Sequence, residues 1–486
     1  MKRLTSFLLV AALALSMGML TACGGGSDSK EWWSTTGELQ KDENGDVVFD
    51  NLNITVESVA SGDDSAAFSS IVDDFNVAYR GKIRVKVVYT LEDGYAAAVT
   101  QKIQNDINTP DLLMAHQKLG KTFYGSKIIQ PMEEGYEAAG LTLDYTKYSS
   151  YLASFASLDS AYKFGVPIDM QGEIMLVNKD LLAQIGKSVP TDRASFIDVL
   201  QAAKIAWPRL PANENDTNGY VPLGISTESP FWNRYVWTTA LLQNGAQLYN
   251  PENYTAEWTN DTNKAAFLNA TKSLDEFFES GYSEYGRSAS YVNGQFQKGR
   301  ALFCLNVPFS VPGIIKAFAA RNEITEAQAN EKIGAVSVSK LFAMDASGAQ
   351  AETIYGDSHT FYMSNSVTDI TEKAACAVFV NYISNYAAGG AKWGAAGHAT
   401  ASVTIGESDE YKNNAFVKDY ISVWYPDMTK FTAMGNTPFF TDVDTILNSL
   451  CADLLKDRKV WATEVTFNTL LTRRQTELNG LITFDY

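Results

Sequence analysis

The chain is 486 residues long, 45% of them apolar, and sets 56 Asp and Glu against 39 Lys and Arg for a formal charge of −17. That balance argues against nucleic acid or an anionic lipid surface as a partner. The length suits two or three globular domains of ~150 residues, and four cysteines without CxxC spacing indicate neither a disulfide framework nor a zinc site.

In chain order, Lys2 and Arg3 precede an uncharged apolar stretch from Leu4 to Leu20, which ends in Leu20-Thr21-Ala22-Cys23. A positive start, a short apolar run and small residues before a cleavage point predict a secretory signal over residues 1–22, whereas a permanent span asks for ~18 to 20 apolar residues. A Cys directly after the small residues resembles the bacterial lipobox, which implies that Cys23 is acylated and that the chain is cut before it. Removal of Lys2 and Arg3 takes the −17 of the precursor to about −19. The run Gly24-Gly25-Gly26-Ser27-Asp28-Ser29-Lys30 buries nothing, and residues 23–50 read as a flexible tether.

A strand is predicted from Asn53 to Val59, then a loop over Ala60-Ser61-Gly62-Asp63-Asp64, then a helix with Phe68, Ile71, Val72 and Phe75 on one face at i, i+3, i+4, i+7. Ile83, Val85, Val87 and Tyr89 alternate as a second strand. A helix near Tyr95 to Ile107 leads through Thr109-Pro110 to a third strand, Asp111 to Ala115. The βαβαβ order predicts a parallel sheet covered by helices. Ligands of such sheets lie beyond the carboxyl ends of the strands, here pointing at Asp63, Asp64, His116 and Gln117. Cys376 and Cys451 sit in apolar helical patterns and read as buried small hydrophobes. Asp42 to Asp46 and Asn213 to Gly219 carry oxygen groups at alternate positions without the distal Glu of an EF-hand, and read as turns.

Further on come Tyr162-Lys163-Phe164-Gly165-Val166-Pro167, a strand from Glu173 to Val177 and Asn178-Lys179-Asp180. With Pro110-Asp111-Leu112-Leu113, Phe296-Gln297-Lys298-Gly299-Arg300-Ala301-Leu302, Val307-Pro308-Phe309 and Trp393-Gly394-Ala395-Ala396-Gly397-His398, these segments resemble, in order and spacing, extracellular solute-binding protein family 1, the maltodextrin-binding-protein-like sugar receptors of ABC importers. The chain departs from the family pattern at Phe164 and Val177, where Tyr is usual, and at Val307-Pro308-Phe309, where Gly-Pro-Trp is usual.

The resemblance implies an α/β type 2 periplasmic-binding fold: two α/β lobes, a hinge and an interlobe ligand cleft. Lobe 1 is expected at 51–168 and 356–398, and lobe 2 at 169–355 and 399–486. It implies ligand contacts from Asp63, Asp64, His116, Gln117, Asp169 and Gln171, from Asp357 and His359, and from aromatic platforms at Phe231, Trp232, Phe309, Trp393, Phe439 and Phe440. It further implies carbohydrate and permease subunits as partners, a monomer held at the membrane by its lipid alone, no cofactor or metal, and no catalysis. Independently of the family, sugar rings stack on aromatic faces while their hydroxyl groups need Asp, Asn, Gln or His, and an aromatic content of 12% permits this. An extracytoplasmic carbohydrate-active enzyme and a surface adhesin on the same fold stay open as rivals. Against the enzyme stand the wide sequence separation of the three histidines and the lack of HExxH, GxSxG or a Walker loop.

Overall fold

The computed structural model describes residues 32–482 apart from 93, 159–160, 214, 217, 229–231, 425–430 and 434–436; Cys23 and the signal lie outside the described residues. The predicted opening pattern forms β1 (Leu52–Ser58), α1 (Asp63–Ala78), β2 (Ile83–Tyr89), α2 (Tyr95–Gln104) and β3 (Leu112–His116). β1 pairs parallel with β2 from Leu52↔Ile83 to Ser58↔Tyr89, and with β3 on its other side. Along β2, Ile83 and Val85 are buried while Arg84 and Lys86 are exposed, as a half-covered edge strand requires. The i, i+3, i+4, i+7 spacing in α1 buries Phe68, Ile71, Val72 and Phe75.

The sheet is mixed, where the chain order predicts a parallel one. Beyond β4 (Ile129–Gln130) and β5 (Gly165–Pro167), β12 (His359–Ser364) returns antiparallel to β3, from His359↔His116 to Met363↔Leu112. Its partner is so distant along the chain that no local periodicity announces the pairing. β5 also pairs with β12. Helices α4 (Ile370–Asn385) and α5 (Ala387–Ala395) come back over this first lobe, where Cys376, Phe379 and Trp393 share a core with Phe68 and Phe75.

The second lobe is built on β10-β7-β9-β8. Here β7 (Ile174–Asn178) runs antiparallel to β9 (Ala301–Asn306) and to β10 (Ile333–Val336), and β8 (Val221–Gly224) pairs parallel with β9. Around it pack α3 (Ala289–Gln297), α6 (Phe440–Lys456) and α7 (Glu464–Leu481), over a core that includes Trp237, Trp258 and Phe277. Between the lobes lies a small sheet, β13-β6-β11-β14, in which β14 is Phe431–Ala433. In it β6 (Asp169–Gly172) pairs with β11 (Ile354–Asp357) and with β13 (Ala399–Thr400). β6 follows β5 after one residue, and β12 follows β11 after one. The chain therefore passes between lobes at three neighbouring points, carrying Asp169, His359 and His398.

From Trp32 onward the segment read as a tether is docked on the first lobe. Trp32 Nε1 donates to the Ile129 carbonyl at 2.8 Å, and the Trp32 and Trp33 rings pack against Phe164, with centroids 6.3 and 5.9 Å away. Two adjacent tryptophans bury too much apolar area to stay in a solvated linker. Asp42 Oδ1 accepts from the Asn44 and Asp46 amides, so the first oxygen-rich run is a turn. Cys304, Cys376 and Cys451 are buried, and none of the three is in a disulfide among the described residues. No helix among the described residues is long and apolar enough to cross a membrane.

Candidate ligand-binding cleft

A cleft of about 400 Å³ opens between the lobes, near the small end of the range for small-molecule sites. Its first-lobe wall is the carboxyl edge of the sheet: Val59 to Ser61 after β1, Asp64 in the first turn of α1, Glu92 after β2, His116 at the end of β3 and His359 at the start of β12. This is where open α/β sheets present ligand sites. Its second-lobe wall carries Ser226 and Tyr235, Asn293 on α3, Asn306 at the end of β9, and Phe309.

All three histidines of the chain meet at this wall. The centre is Asp169, fully buried. Its Oδ1 accepts the His359 amide at 2.6 Å, and its Oδ2 accepts His359 Nδ1 at 2.7 Å and Trp393 Nε1 at 2.8 Å. His398 Nδ1 lies 3.1 Å from the same oxygen, and His398 Nε2 lies 3.1 Å from Asp64 Oδ1. Each ring nitrogen of His398 thus lies against one carboxylate. Trp393 stacks on the His398 ring at 4.0 Å and 10°. Burial disfavours charge on His398, yet the carboxylates of Asp169 and Asp64 on its two nitrogens outweigh it and push the imidazole up to about 9. Burial would likewise raise Asp169, but His359 and His398 hold its carboxyl well below the usual range.

Asp169, His359 and His398 each offer a ligand atom within 4.8 Å of the others, a donor set of the kind that binds transition metals. Asp169 Oδ2 already receives two N–H groups and faces a third nitrogen. The cluster is better described as a closed ion-pair network.

A second network adjoins it. His116 Nδ1 is 3.1 Å from Gln171 Nε2 and 3.4 Å from Asp357 Oδ2, while its ring stacks on His359 at 4.8 Å. Lys118 Nζ reaches Glu92 Oε1 at 2.8 Å and Asp357 Oδ2 at 3.4 Å, and lies 5.4 Å from the Phe440 ring.

Of the residues singled out from the sequence, Asp64, His116, Gln171, Phe309 and His359 line the cleft, and Asp169, Asp357 and Trp393 support that wall from beneath. Four do not line it. Asp63 is solvent-exposed, because the first turn of α1 aims Asp64 rather than its neighbour inward. Gln117 is buried and donates to the Leu152 carbonyl at 2.8 Å. Phe439 packs against Tyr254, and Phe440 belongs to the second-lobe core. Phe231 lies outside the described residues, as does the Trp232 side chain. Sequence alone does not single out Glu92, Lys118, Ser226, Asn293, Asn306 or His398 as site residues. Only His398 carries a signal, since it ends the Trp393 to His398 motif.

No protein-family model matches the sequence, and no curated protein matches it. Solved structures do. The GacH receptor of Streptomyces glaucescens, described in unliganded form and with acarbose, aligns at a TM-score of 0.65 with 15% identity, over 88% of this chain and 99% of that one. Maltose-bound MalE3 of T. maritima aligns at 0.67 with 13% identity, over 88% and 100%. The cyclic alpha-maltosyl-1,6-maltose binding protein of Arthrobacter globiformis aligns at 0.65 with 14% identity, over 89% and 99%. The protein thus has the two-lobed α/β fold of the periplasmic-binding type. Within that fold its likeness is to the maltodextrin-binding-protein-like solute-binding proteins.

Proposed function

We propose that the protein is the substrate-binding component of an ABC importer, which captures a carbohydrate of the oligosaccharide class outside the cytoplasmic membrane by hinge closure and hands it to the permease. The observation that carries this reading is the interlobe cleft itself, where hydrogen-bonding side chains from strand ends face the half-exposed ring of Phe309 across the gap. Hydroxyl groups at a sugar's edge suit the first wall, and a C–H face suits the ring. Structural neighbours described with maltose and acarbose support the same class. In this reading lobe 1 comprises 51–168 and 356–398, lobe 2 comprises 169–355 and 399–486, and the monomer is held at the membrane by lipid on Cys23. A glycosidase would set its two carboxyl groups on opposite sides of the scissile bond. Here Asp64 and Glu92 both come from the first lobe, and each faces a cationic partner.

A thermal-shift screen against mono- and oligosaccharides tests the reading, since a ligand at 100 times its Kd stabilises by ~2.7 kcal/mol. Small-angle scattering with the best ligand should show a smaller radius of gyration; no stabilisation by any sugar, or no compaction at saturation, counts against hinge capture. Fractionation of cells expressing Cys23→Ala should find the protein released from the membrane, and retention there removes the anchor from the proposal.

A further inference from the structure

Aromatic rings gather on the first lobe at the point where the chain joins it. Trp32 lies edge-on to Trp33 and to Tyr124, with centroids 4.9 and 5.1 Å away, Trp33 lies edge-on to Tyr162 at 5.4 Å, and both tryptophans pack on the buried Phe164. Trp32, Trp33, Tyr124 and Tyr162 are only half-buried. Lys127 Nζ stands 5.9 Å from the Trp32 ring and Lys121 Nζ 5.5 Å from the Tyr124 ring. On the Trp33 side Glu133 and Glu134 pair with Lys163 and Lys373, and Glu137 borders the same recess. The patch is remote from the cleft: Ile129, whose carbonyl accepts from Trp32, pairs with Ser364 at the opposite end of β12 from His359.

Reach and chemistry together indicate what covers it. Trp32 follows Cys23 by nine residues, so the chain between them spans at most ~30 Å. With lipid on Cys23 the patch stays within that distance of the bilayer, and a contact between the two is intramolecular, at an effective concentration on the order of mM for a short linker. A contact too weak to hold the free protein then suffices. Trp and Tyr rings, apolar in body and polar at one edge, favour the headgroup level of a membrane, where Lys also anchors. Both signs of charge border the patch, which suits zwitterionic headgroups and calls for no attraction to an anionic surface.

Resting on the lipid anchor proposed above, we propose that Trp32, Trp33, Tyr124 and Tyr162 lie in the headgroup layer of the bilayer that holds Cys23. The contact adds a protein surface to the lipid and sets which face of the first lobe is turned to the membrane.

The test uses the lipidated protein in phosphatidylcholine vesicles, with and without dibromo-phosphatidylcholine as a contact quencher. Two of the nine tryptophans belong to the patch, so bromolipid should remove about a fifth of the emission, and this loss should vanish in Trp32→Phe/Trp33→Phe. A second readout leaves the rings intact. Gly125→Cys and Gly313→Cys, at exposed glycines where an added Cβ meets nothing within 4 Å, each carry an environment-sensitive dye. The dye beside Tyr124 should shift to the blue and be quenched by bromolipid, and the dye at position 313 on the second lobe should do neither. Vesicle-bound protein with unquenched tryptophans and an unshifted dye at position 125 overturns the inference and leaves the anchor standing. Quenching that persists in the double variant, or is equal at the two dyes, overturns it as well. Failure of the wild-type protein to stay with the vesicles removes the anchor, and this inference with it.

Discussion

On its first-lobe side the cleft is walled by groups already bound to one another: Asp169 with His359, Trp393 and His398, and Lys118 with Glu92 and Asp357. On the second-lobe side the wall is neutral, made of amides, hydroxyls and one half-exposed ring, and Ser226 lacks a partner. The difference teaches how the site divides its work. The first wall is ordered before any ligand arrives, because three crossing segments are pinned by one buried carboxylate. On the second wall the Ser226 hydroxyl is left unspent. Damage to the first should therefore appear mainly as lost stability, and damage to the second mainly as lost affinity.

The largest expected effect is that of Asp169→Ala. It leaves His398 charged in the interior with only Asp64 beside it and strips Trp393 Nε1 of its acceptor, a change in the class that costs ~3–5 kcal/mol. Chemical denaturation should show a midpoint lowered accordingly. A loss below about 1 kcal/mol would mean that the network is not what pins the crossing segments.

Proton linkage reads the same network without mutation. His398 is raised in the folded state to about 9 from an ordinary 6.5, so its contribution is complete below about pH 6.5 and is lost as pH rises through about 9. Asp169 is depressed, so its contribution is present above the ordinary carboxylate range and is lost as pH falls well below it. Glu173, buried without a partner for either oxygen, is raised by burial and also weakens the fold as pH rises. Glu372, raised to about 7 by burial and by Asp111 and Asp369 beside it, acts in the same direction, so denaturation of the Glu173→Gln/Glu372→Gln double variant from pH 6 to 10 is the measurement that reads the histidine. The expected loss is on the order of 3 kcal/mol, and a flat profile would show that His398 is not held charged.

Smaller again is Gly397→Ala. Gly397 has φ of 102°, in the left-handed region that suits glycine, and a Cβ there would strike the backbone of Pro308 and Phe309. This is the point where the second lobe rests on the crossing segment beside His398. Strain of this kind costs ~1–3 kcal/mol, and the lobes can relieve part of it by moving apart. Scattering should report a larger radius of gyration for the unliganded variant, with a weakened ligand response. An unchanged radius with an unchanged melting temperature would place the contact outside the hinge.

Much of the scaffold was legible because it is written locally. Phe68, Ile71, Val72 and Phe75 share a helical face, and Ile83 and Val85 alternate with Arg84 and Lys86, so period alone finds both elements. The docking of Trp32 and Trp33 on Phe164, the antiparallel return of β12 and the meeting of His116, His359 and His398 were not legible. Each joins residues whose separation along the chain hides them from any window. The resemblance put His116 and His359 in one cleft but not His398, and the three crossings of the chain bring all three within one cluster of packed rings. Roles for Glu92 and Lys118 were hidden for another reason: their identities are those of ordinary surface residues, and only the fold turns them toward the cleft.

The smallest expected effect on the fold, and the sharpest contrast between the walls, comes from Ser226→Ala. The hydroxyl is buried and unpaired in the free protein, so its removal deletes an unsatisfied polar group and should leave stability unchanged or raised by a few tenths of a kcal/mol. If that hydroxyl is held in reserve for a ligand, the same change removes a hydrogen bond made only in the complex, worth ~0.5–1.5 kcal/mol, or about two- to tenfold in Kd. Calorimetry with the best sugar from the screen, beside a melting curve of the free variant, measures both quantities on one preparation. Weaker binding with equal or higher melting temperature places Ser226 in the unspent wall. A fall in melting temperature with unaltered affinity would mean that its oxygen serves the fold, and that the neutral wall, like the charged one, has its hydrogen bonds engaged before any ligand binds.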